Sequence, residues 1–183
     1  MKRILNLSCI FCILLYACKT PEARRPVSVK TGSFMNESVI RNKKRSAQEE
    51  AAIKQLIAQD TSNTYYSSTS GFWYYYQQQD TVSTVVPKFG DIVNFDYDIK
   101  DLKSNSIYTK EELKNTTYAI DKEELFYGLR EGLKLMKQGE IVTFLFPSYQ
   151  AYGYYGDARK IGTNIPLIVN VRLNAIKKET PAP

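Results

Sequence analysis

The sequence predicts an α+β fold in which a curled antiparallel β-sheet wraps around one short central helix and is preceded by an N-terminal helix. Three observations predict this fold. Residues 91–99 alternate apolar with polar side chains, which is typical of a strand with one face on a core. Residues 125–136 repeat apolar side chains at helical spacing. Apolar, strand-like segments then follow at 141–146 and 165–176.

The N-terminal helix is predicted to begin with the stretch SAQE at 46–49. This stretch is a capping box, in which the serine and the glutamate satisfy each other's free backbone N–H groups. Apolar residues follow at helical spacing, and the helix is predicted to end near Gln59. Residues 61–70 are polar and predict a loop. GFWYYYQQQ at 71–79 is rich in aromatic rings and predicts a paired strand.

Turn and helix signals continue between the predicted strands. Pro87–Gly90 predicts a turn, and residues 116–120 predict a short extended segment. DKEE at 121–124 has the pattern of a helix-capping segment. Gly128 and Gly132 each cost up to about 1 kcal/mol relative to alanine in a helix, so the central helix is predicted to be short.

The first eighteen residues, MKRILNLSCIFCILLYAC, predict a lipoprotein signal peptide at 1–17. A charged start precedes a mostly apolar run at 4–15, which is too short to span a bilayer comfortably. The run ends in LYAC, which resembles a bacterial lipobox. We therefore expect cleavage before Cys18 and a lipid such as palmitate on that cysteine. The alternative is an ordinary secretory signal with an incidental cysteine.

Positive charge is concentrated between the signal peptide and the folded part. Residues 19–45 hold eight Lys or Arg and two Glu, whereas residues 46–183 sum to a net charge of −2. We interpret residues 18–45 as a flexible, basic tether that lies against anionic headgroups, worth about 1 kcal/mol per well-placed charge. A solvated spacer is an equally good interpretation. A nucleic-acid partner is disfavoured by export and by the acidic folded part.

The chain contains no histidine, which excludes Ser-His-Asp and Cys-His catalysis and any histidine-ligated metal site. The acidic pairs at 111–112 and 123–124 are interpreted as solvated helix starts. We expect no metal and no cofactor.

Four segments resemble the FKBP-type peptidyl-prolyl cis-trans isomerase family in order and spacing. They are GDIVNFDY at 90–97, YGLREGLKLMKQGE at 127–140, PSYQAYG at 147–153 and LIVNVRL at 167–173. The resemblance covers about residues 71–178 and implies an FKBP-like half-barrel. With the lipobox, the tether and the capped helix, the chain is most similar to the FKBP-type lipoproteins associated with gliding motility in gliding bacteria.

The resemblance also implies the residues of a proline pocket. It implies catalytic roles for Tyr97, for Phe126 through its backbone N–H, and for Tyr152 through a hydroxyl directed at a substrate carbonyl. The remaining residues implied to bind substrate are Tyr108, Leu125, Leu129, Ile161 and Val169. For Tyr152, Tyr154 and Tyr155, the alternative is ordinary packing of rings at a sheet edge.

The chemistry of proline isomerisation suits a chain without histidine. Rotation about an X–Pro bond makes and breaks no covalent bond, and its barrier of about 20 kcal/mol comes from amide resonance. A twisted amide is less polar at its carbonyl oxygen, so a dry apolar pocket favours it over the planar form. Rings, aliphatic side chains and one or two hydrogen-bond donors are sufficient for such a pocket.

Four departures from the family pattern bear on activity. Leu129 stands in place of a floor tryptophan, and Val169 in place of a late phenylalanine. The family's Phe-Asp pair reads Tyr-Thr at 108–109, so its carboxylate is missing and the strand tyrosine loses a hydrogen-bond partner. A Pro-Pro pair that often follows the loop isoleucine reads Gly-Thr at 162–163. We expect the activity to be weak, altered in substrate choice, or absent.

Two functions from different classes remain open. The first is a membrane-tethered prolyl isomerase that assists the folding of exported proteins, with gliding-motility components as candidate clients. The second is a binding or structural lipoprotein that keeps the fold without catalysis. An open pocket over Leu129 and Val169 favours the first function, whereas neighbouring rings that refill this space favour the second.

The predicted organisation follows from these interpretations. Beyond the tether, it comprises a helix and loop at 46–70, an isomerase domain at 71–178 and a tail at 179–183. The expected partners are proline-containing segments of exported proteins and a membrane, without nucleic acid. We expect a lipid-anchored monomer of the cell envelope whose domain lies in the periplasm.

Overall fold

The computed structural model describes residues 31–179, with side chains from residue 35 onward. The predicted signal peptide, the lipidation site Cys18 and the first part of the tether lie outside the described residues. Contacts divide the chain into residues 1–38 and 39–183. The sheet, the shorter helices and the candidate site all belong to the second unit.

Helix α1 is longer than the sequence predicts. It spans Thr31–Gln59, so its predicted end is confirmed, whereas the predicted start at Ser46 and the flexible character of residues 31–45 are wrong. Residues 33–59 contain neither proline nor glycine and are rich in Lys, Arg, Glu and Gln, which favour helix without an apolar face. Because the first half of α1 is mostly exposed, no apolar stripe in the sequence indicated where it begins.

The described residues form one sheet of seven strands. The strands are β1 Tyr66–Ser67, β2 Trp73–Gln78, β3 Ile92–Asp101, β4 Ser106–Tyr108, β5 Thr116–Ala119, β6 Ile141–Phe146 and β7 Leu167–Lys177. Their order is β1-β2-β6-β7-β3-β4, with β5 paired to β3, and all pairs are antiparallel. Strand β1 lies in the segment predicted to be a loop, and β4 lies in a stretch for which no structure was predicted. Each of the other five strands lies where an extended segment was predicted.

Strand β3 carries the alternation on which the fold prediction depended. Val93, Phe95, Tyr97 and Ile99 are buried, while the residues between them are more exposed, as predicted. On the opposite face, Asp98 accepts a hydrogen bond from the Asn170 side chain (2.8 Å). The strand therefore separates the core from a polar, hydrogen-bonded outer face.

A short helix α2, Lys110–Leu113, follows β4. The Thr109 hydroxyl accepts the Glu112 N–H at 3.4 Å, and the Glu112 carboxylate accepts the Thr109 N–H at 3.0 Å, which together form a capping box. The interpretation of residues 111–112 as a helix start is thereby confirmed. Thr109, which replaces the family's acid, ends the strand segment and begins this helix.

The central helix α3, Tyr127–Leu133, packs so closely on the sheet that two positions need glycine. A Cβ atom at Gly128 would lie 2.6 Å from the Phe146 ring, and one at Gly132 would lie 2.9 Å from the Phe144 ring. The helix is short, as predicted. The glycines therefore weaken the helix locally but allow its backbone to approach the core.

The predicted capping segment at 121–124 is wrong. Helix α3 begins after Phe126, whose side chain makes no capping hydrogen bond. Asp121 has a positive φ of 58° and lies in a turn. Glu123 instead accepts the Ala119 N–H at 3.1 Å, so this carboxylate ties the turn to β5 rather than starting a helix.

Residues 31–179 contain no helix that is long and apolar enough to cross a membrane. The same residues bring together no group of three or more acidic or cysteine side chains that could hold a metal ion. Buried carboxylates instead bind backbone groups. Glu140, for example, accepts N–H bonds from Asp80 (3.0 Å) and Lys137 (2.8 Å).

Candidate active site

The loop after β6 holds Tyr152 through a tight pattern of backbone hydrogen bonds. Ser148–Gln150 form one turn of 3₁₀-helix. The Ser148 carbonyl then accepts the N–H groups of Ala151 (3.0 Å) and Gly153 (2.8 Å), which lie on either side of Tyr152. Gly153 has a φ of +56°, a conformation that glycine adopts without steric cost. The turn therefore fixes the backbone that carries Tyr152.

Tyr152 lines an open cavity of about 330 Å³ together with two strand tyrosines, and we call this the tyrosine cavity. Tyr97 comes from β3 and Tyr108 from the end of β4. The full lining consists of Tyr97, Ile99, Tyr108, Leu113, Tyr152, Asp157 and Arg159. The structure thus brings together three of the residues that the resemblance implies.

Two of the cavity hydroxyls are unoccupied donors. Neither Tyr97 nor Tyr152 makes a side-chain hydrogen bond to any of residues 31–179. Burial raises the pKa of both phenols, and the neighbouring Tyr97, Asp157 and Tyr108 raise the pKa of Tyr152 further. Both hydroxyls therefore stay protonated far above neutral pH and can donate a hydrogen bond to a substrate carbonyl.

Asp157 supplies a carboxylate to this cavity from the loop after Tyr152. It accepts a short hydrogen bond from the Tyr108 hydroxyl and the backbone N–H groups of Arg159 (2.9 Å) and Ile161 (2.8 Å). Burial acts to raise the Asp157 pKa, but these hydrogen bonds outweigh it and hold the pKa below its usual value. Asp157 therefore fixes both the Tyr108 ring and its own loop.

Sequence reasoning missed Asp157. The family pattern places a carboxylate at position 109, next to Tyr108. The carboxylate that accepts the hydrogen bond of the Tyr108 hydroxyl lies 49 positions further along the chain. The one local sign is the Gly-Asp pair at 156–157, which is typical of a turn but indicates no contact with a distant ring.

Phe126 offers the third free donor. Its backbone N–H has no acceptor within residues 31–179. Its ring contacts Phe146, with centroids 5.4 Å apart, and Tyr152, with centroids 5.1 Å apart. A second cleft of about 570 Å³, which we call the Leu125 cleft, is lined by Glu123, Glu124, Leu125, Phe126, Arg130, Ala151 and Tyr152. Tyr152 thus lines both openings and contacts the residue that carries the free N–H.

The implied floor residues lie below the surface of these openings. Leu129 and Val169 are 0% exposed, Ile161 is 3% exposed, and none of the three lines the tyrosine cavity or the Leu125 cleft. Leu125 is half-buried in its cleft. The smaller side chains at 129 and 169 therefore line neither opening, and the exposed surface of both is formed by other residues.

The two tyrosines that follow the loop turn project into solvent. Tyr154 is 69% exposed and Tyr155 is 90% exposed, and their rings contact each other at a centroid distance of 5.6 Å. Neither one lines the tyrosine cavity. They contribute no wall to it, and neither is packed at a sheet edge.

Comparison with known families identifies the domain. A model of the FKBP-type peptidyl-prolyl cis-trans isomerase family matches residues 84–174, which include β3, α3 and the Tyr152 loop. The domain formed by these residues belongs to that family. The resemblance noted in the sequence is thereby confirmed for the family, while the likeness to gliding-motility lipoproteins stays a prediction.

One curated relative supports the same assignment. The probable FKBP-type peptidyl-prolyl cis-trans isomerase FkpA of Neisseria meningitidis serogroup B is 30% identical over 97 residues. The match covers 53% of this chain and 35% of that protein, so the chain spans about a third of its relative's length.

Two solved structures share the fold. FkpA from Escherichia coli has a TM-score of 0.59 at 19% identity, over 96% of this chain and 81% of that one. A peptidyl-prolyl cis-trans isomerase from Pseudomonas syringae pv. tomato has a TM-score of 0.58 at 17% identity, over 72% of this chain and 95% of that one. At these identities the likeness concerns the fold alone, and it confirms the predicted α+β FKBP-like architecture.

Proposed function

We propose that this protein catalyses cis-trans isomerisation of X–Pro bonds at the tyrosine cavity and the adjoining Leu125 cleft, two openings that share Tyr152. The observation that carries the proposal is that two residues with touching rings each have a hydrogen-bond donor without a partner. The Phe126 N–H and the Tyr152 hydroxyl have no partners within the described residues, and the two rings lie 5.1 Å apart. A free donor at a semi-buried site is available to a ligand carbonyl.

The cavity supports this chemistry through binding alone. The rings of Tyr97, Tyr108 and Tyr152 give an apolar surround for a prolyl ring, and Ile99 and Leu113 extend it. The Phe126 N–H holds the peptide carbonyl, and the Tyr152 hydroxyl donates to a neighbouring one. Because a twisted amide is less polar than a planar one, this surround lowers the rotation barrier without any proton transfer.

Asp157 keeps the cavity in shape during this rotation. Its carboxylate binds the Tyr108 hydroxyl and two loop amides, so it joins the Tyr108 ring to the loop. Neither Tyr108 nor Asp157 needs to change protonation state, which fits a reaction that makes and breaks no covalent bond.

The test is catalysed isomerisation of short X–Pro peptides by the full-length chain, with several residues placed before proline. Tyr152→Phe removes one donor, whereas Phe126→Ala keeps the backbone N–H and removes the ring that packs against Tyr152 and Phe146. Tyr155→Ala is the matched control because its ring is almost fully exposed. We expect acceleration by the parent and the control, and a clear loss in both variants. A folded parent that accelerates no peptide would overturn the proposal.

We further propose that the domain acts on exported proteins while tethered to a membrane, with the domain in the periplasm. Support comes from the sequence: a lipobox ending at Cys18 and eight Lys or Arg between residues 19 and 45. We expect labelled palmitate to be incorporated by the parent and not by Cys18→Ala, which should also leave the membrane fraction. Equal labelling of both would exclude this anchor.

We propose further that the client proteins include components of a motility apparatus. This part of the proposal rests only on the sequence likeness to gliding-motility lipoproteins. A deletion strain complemented with Tyr152→Phe separates the possibilities. Restored motility by this variant would argue against a catalytic role in motility.

A second candidate function is a tethered binding module without catalysis. The observation that favours it is the covered floor, since Leu129 and Val169 are fully buried and line neither opening. A shallow cavity binds a proline with less burial than a deep one, and less burial gives weaker stabilisation of the twisted amide. Binding of an X–Pro peptide without acceleration would decide for this function.

A further inference from the structure

Helix α1 contacts the loop that carries Tyr152 through one buried carboxylate. Glu49 Oε2 accepts the Ser148 N–H at 2.8 Å, and Glu49 Oε1 accepts the Ser148 hydroxyl at 2.9 Å. Glu49 is 9% exposed and Ser148 is 3% exposed. We propose that Glu49 is a positioning residue, which sets the place of Tyr152 by fixing Ser148. This inference rests on the proposed function and deepens it.

Ser148 is bound on both sides of its peptide unit. Glu49 holds its N–H and its hydroxyl, while its carbonyl accepts the N–H groups of Ala151 and Gly153. These two amides bracket Tyr152. Because one side chain holds both the N–H and the hydroxyl of Ser148, Glu49 restrains the residue on which the whole turn depends.

Hydrogen bonds also link Ser148, and through it Glu49, to the far end of the loop. The Gly153 carbonyl accepts the Asn164 N–H at 2.7 Å, which closes the segment 153–164. That segment contains Asp157, the partner of Tyr108. A shift at Ser148 would therefore move both the Tyr152 side and the Asp157 side of the tyrosine cavity.

Helix α1 has other attachments that do not reach this turn's backbone. Ile53 is fully buried, and Glu50 accepts a hydrogen bond from the Tyr149 hydroxyl at 3.1 Å. These contacts can keep the helix docked when the Glu49 carboxylate is removed. Glu49 also precedes the family match, which begins at residue 84, so membership of the family assigns it no role.

Three variants of the full-length chain separate positioning from docking. Glu49→Ala removes both acceptors. Glu49→Gln retains both contacts, because its carbonyl can accept the Ser148 N–H and its amide can donate to the Ser148 hydroxyl oxygen. Glu50→Ala is the matched control, since Glu50 lies on the same helix turn and bonds the Tyr149 side chain rather than Ser148.

The first readout is kinetic. For Glu49→Ala we expect kcat/KM for an X–Pro peptide to fall about 10- to 100-fold, with a rise in KM, because a small displacement of a binding group is costly. Glu49→Gln and Glu50→Ala should stay close to the parent. A fall in kcat alone, in proportion to the folded fraction, would mean that Glu49 only stabilises the fold and would overturn the proposal.

The second readout does not depend on catalysis. Hydrogen exchange at the amides of Ala151 and Gly153 should speed up by about tenfold or more in Glu49→Ala and should be restored in Glu49→Gln. Unchanged exchange at both amides in Glu49→Ala would overturn the inference. If the parent accelerates no peptide, the proposed function fails, and this exchange measurement still decides whether Glu49 fixes the turn.

Discussion

Two groups of tyrosines, one at the β1–β2 edge of the sheet and one around the tyrosine cavity, differ in how deeply their rings are buried. The edge group lies on β1, β2 and the loop before them and consists of Tyr65, Tyr66, Tyr74, Tyr75 and Tyr76. Its rings pair with one another at centroid distances from 4.9 to 6.0 Å. The cavity group consists of Tyr97, Tyr108 and Tyr152. Tyr97 and Tyr152 contact phenylalanine rings at 5.2 and 5.1 Å, and Tyr74 of the edge group contacts two phenylalanine rings at the longer distances of 6.0 and 6.3 Å.

The size of an opening does not distinguish the two groups. Tyr65 and Tyr75 line a groove of about 340 Å³, which is similar to the tyrosine cavity. Some polar groups of that groove have partners, since Gln77 donates to the Thr143 hydroxyl (2.8 Å) and Asn170 donates to Asp98 (2.8 Å), but the Tyr75 hydroxyl has none within residues 31–179. What sets the tyrosine cavity apart is the burial of its rings: Tyr97 is 8% and Tyr108 is 9% exposed, whereas none of the five edge tyrosines is buried. The comparison teaches that a free donor in a buried setting, rather than ring content or the size of the opening, indicates the site.

The largest expected effect is a loss of stability when the phenylalanine ring beneath the edge group is removed. Phe72 is fully buried and contacts the rings of Tyr74, Phe144 and Phe146. We expect Phe72→Ala to lower the free energy of unfolding by about 3–5 kcal/mol, measured by denaturant titration. Tyr155→Ala, which removes an exposed ring, should change it by less than about 0.5 kcal/mol. Equal losses would break the comparison.

The cavity group should respond in activity rather than in stability. Tyr152→Phe removes a hydroxyl that has no partner within residues 31–179, so the melting temperature should not change. We expect kcat/KM for an X–Pro peptide to fall by about tenfold, the value of one hydrogen bond to substrate. Tyr74→Phe is the matched control in the edge group and should keep the parent activity. A loss of similar size in both would contradict the assignment of the site.

The pH profile sharpens the comparison further. The pKa of Asp157 is lowered in the folded chain, so its hold on Tyr108 and the loop is fully present above the unfolded pKa of about 3.9 and is lost as pH falls through the folded value. The pKa of Tyr152 is raised, so it stays a donor. We expect kcat/KM to be flat from about pH 5 to 9 and to fall severalfold only below the unfolded pKa, as pH passes through the lowered folded pKa of Asp157. A transition near neutral pH would contradict this account.

The smallest effect is expected at the rim of the edge group. The Tyr65 hydroxyl donates to Asp60 at 2.8 Å. Tyr65→Phe should lower the free energy of unfolding by about 0.5–1.5 kcal/mol and leave kcat/KM unchanged. Reduced activity in this variant would show that the groove, and not only the cavity, takes part in substrate binding.

Local patterns in the sequence were enough to predict most of the fold. The alternation in β3 and the apolar spacing in α3 follow from which side chains face the core, so they can be recognised in a single chain. The start of α1 could not be predicted in this way, because its exposed half owes its helicity to backbone propensity rather than to an apolar face. At 121–124 the sequence has a capping pattern where no helix begins. These residues form a turn, and α3 starts only at Tyr127.

The site was predictable only in part, for a different reason. Tyr97, Tyr108 and Tyr152 could be carried over from the family motifs, and the structure brings them to one cavity. The contacts of Asp157 with Tyr108 and of Glu49 with Ser148 join residues 49 and 99 positions apart. No spacing rule links such distant residues, because their contact depends on how the whole sheet and helix α1 come together.

The most direct test of the central claim is exchange NMR on a proline peptide mixed with the labelled full-length chain. One sample reports the cis-trans interconversion of the peptide and the amide shifts of Phe126 and of the loop around Tyr152. The account predicts faster interconversion together with shifts at these amides, and loss of the acceleration in Tyr152→Phe. Unchanged interconversion with unmoved Phe126 and loop amides would contradict it.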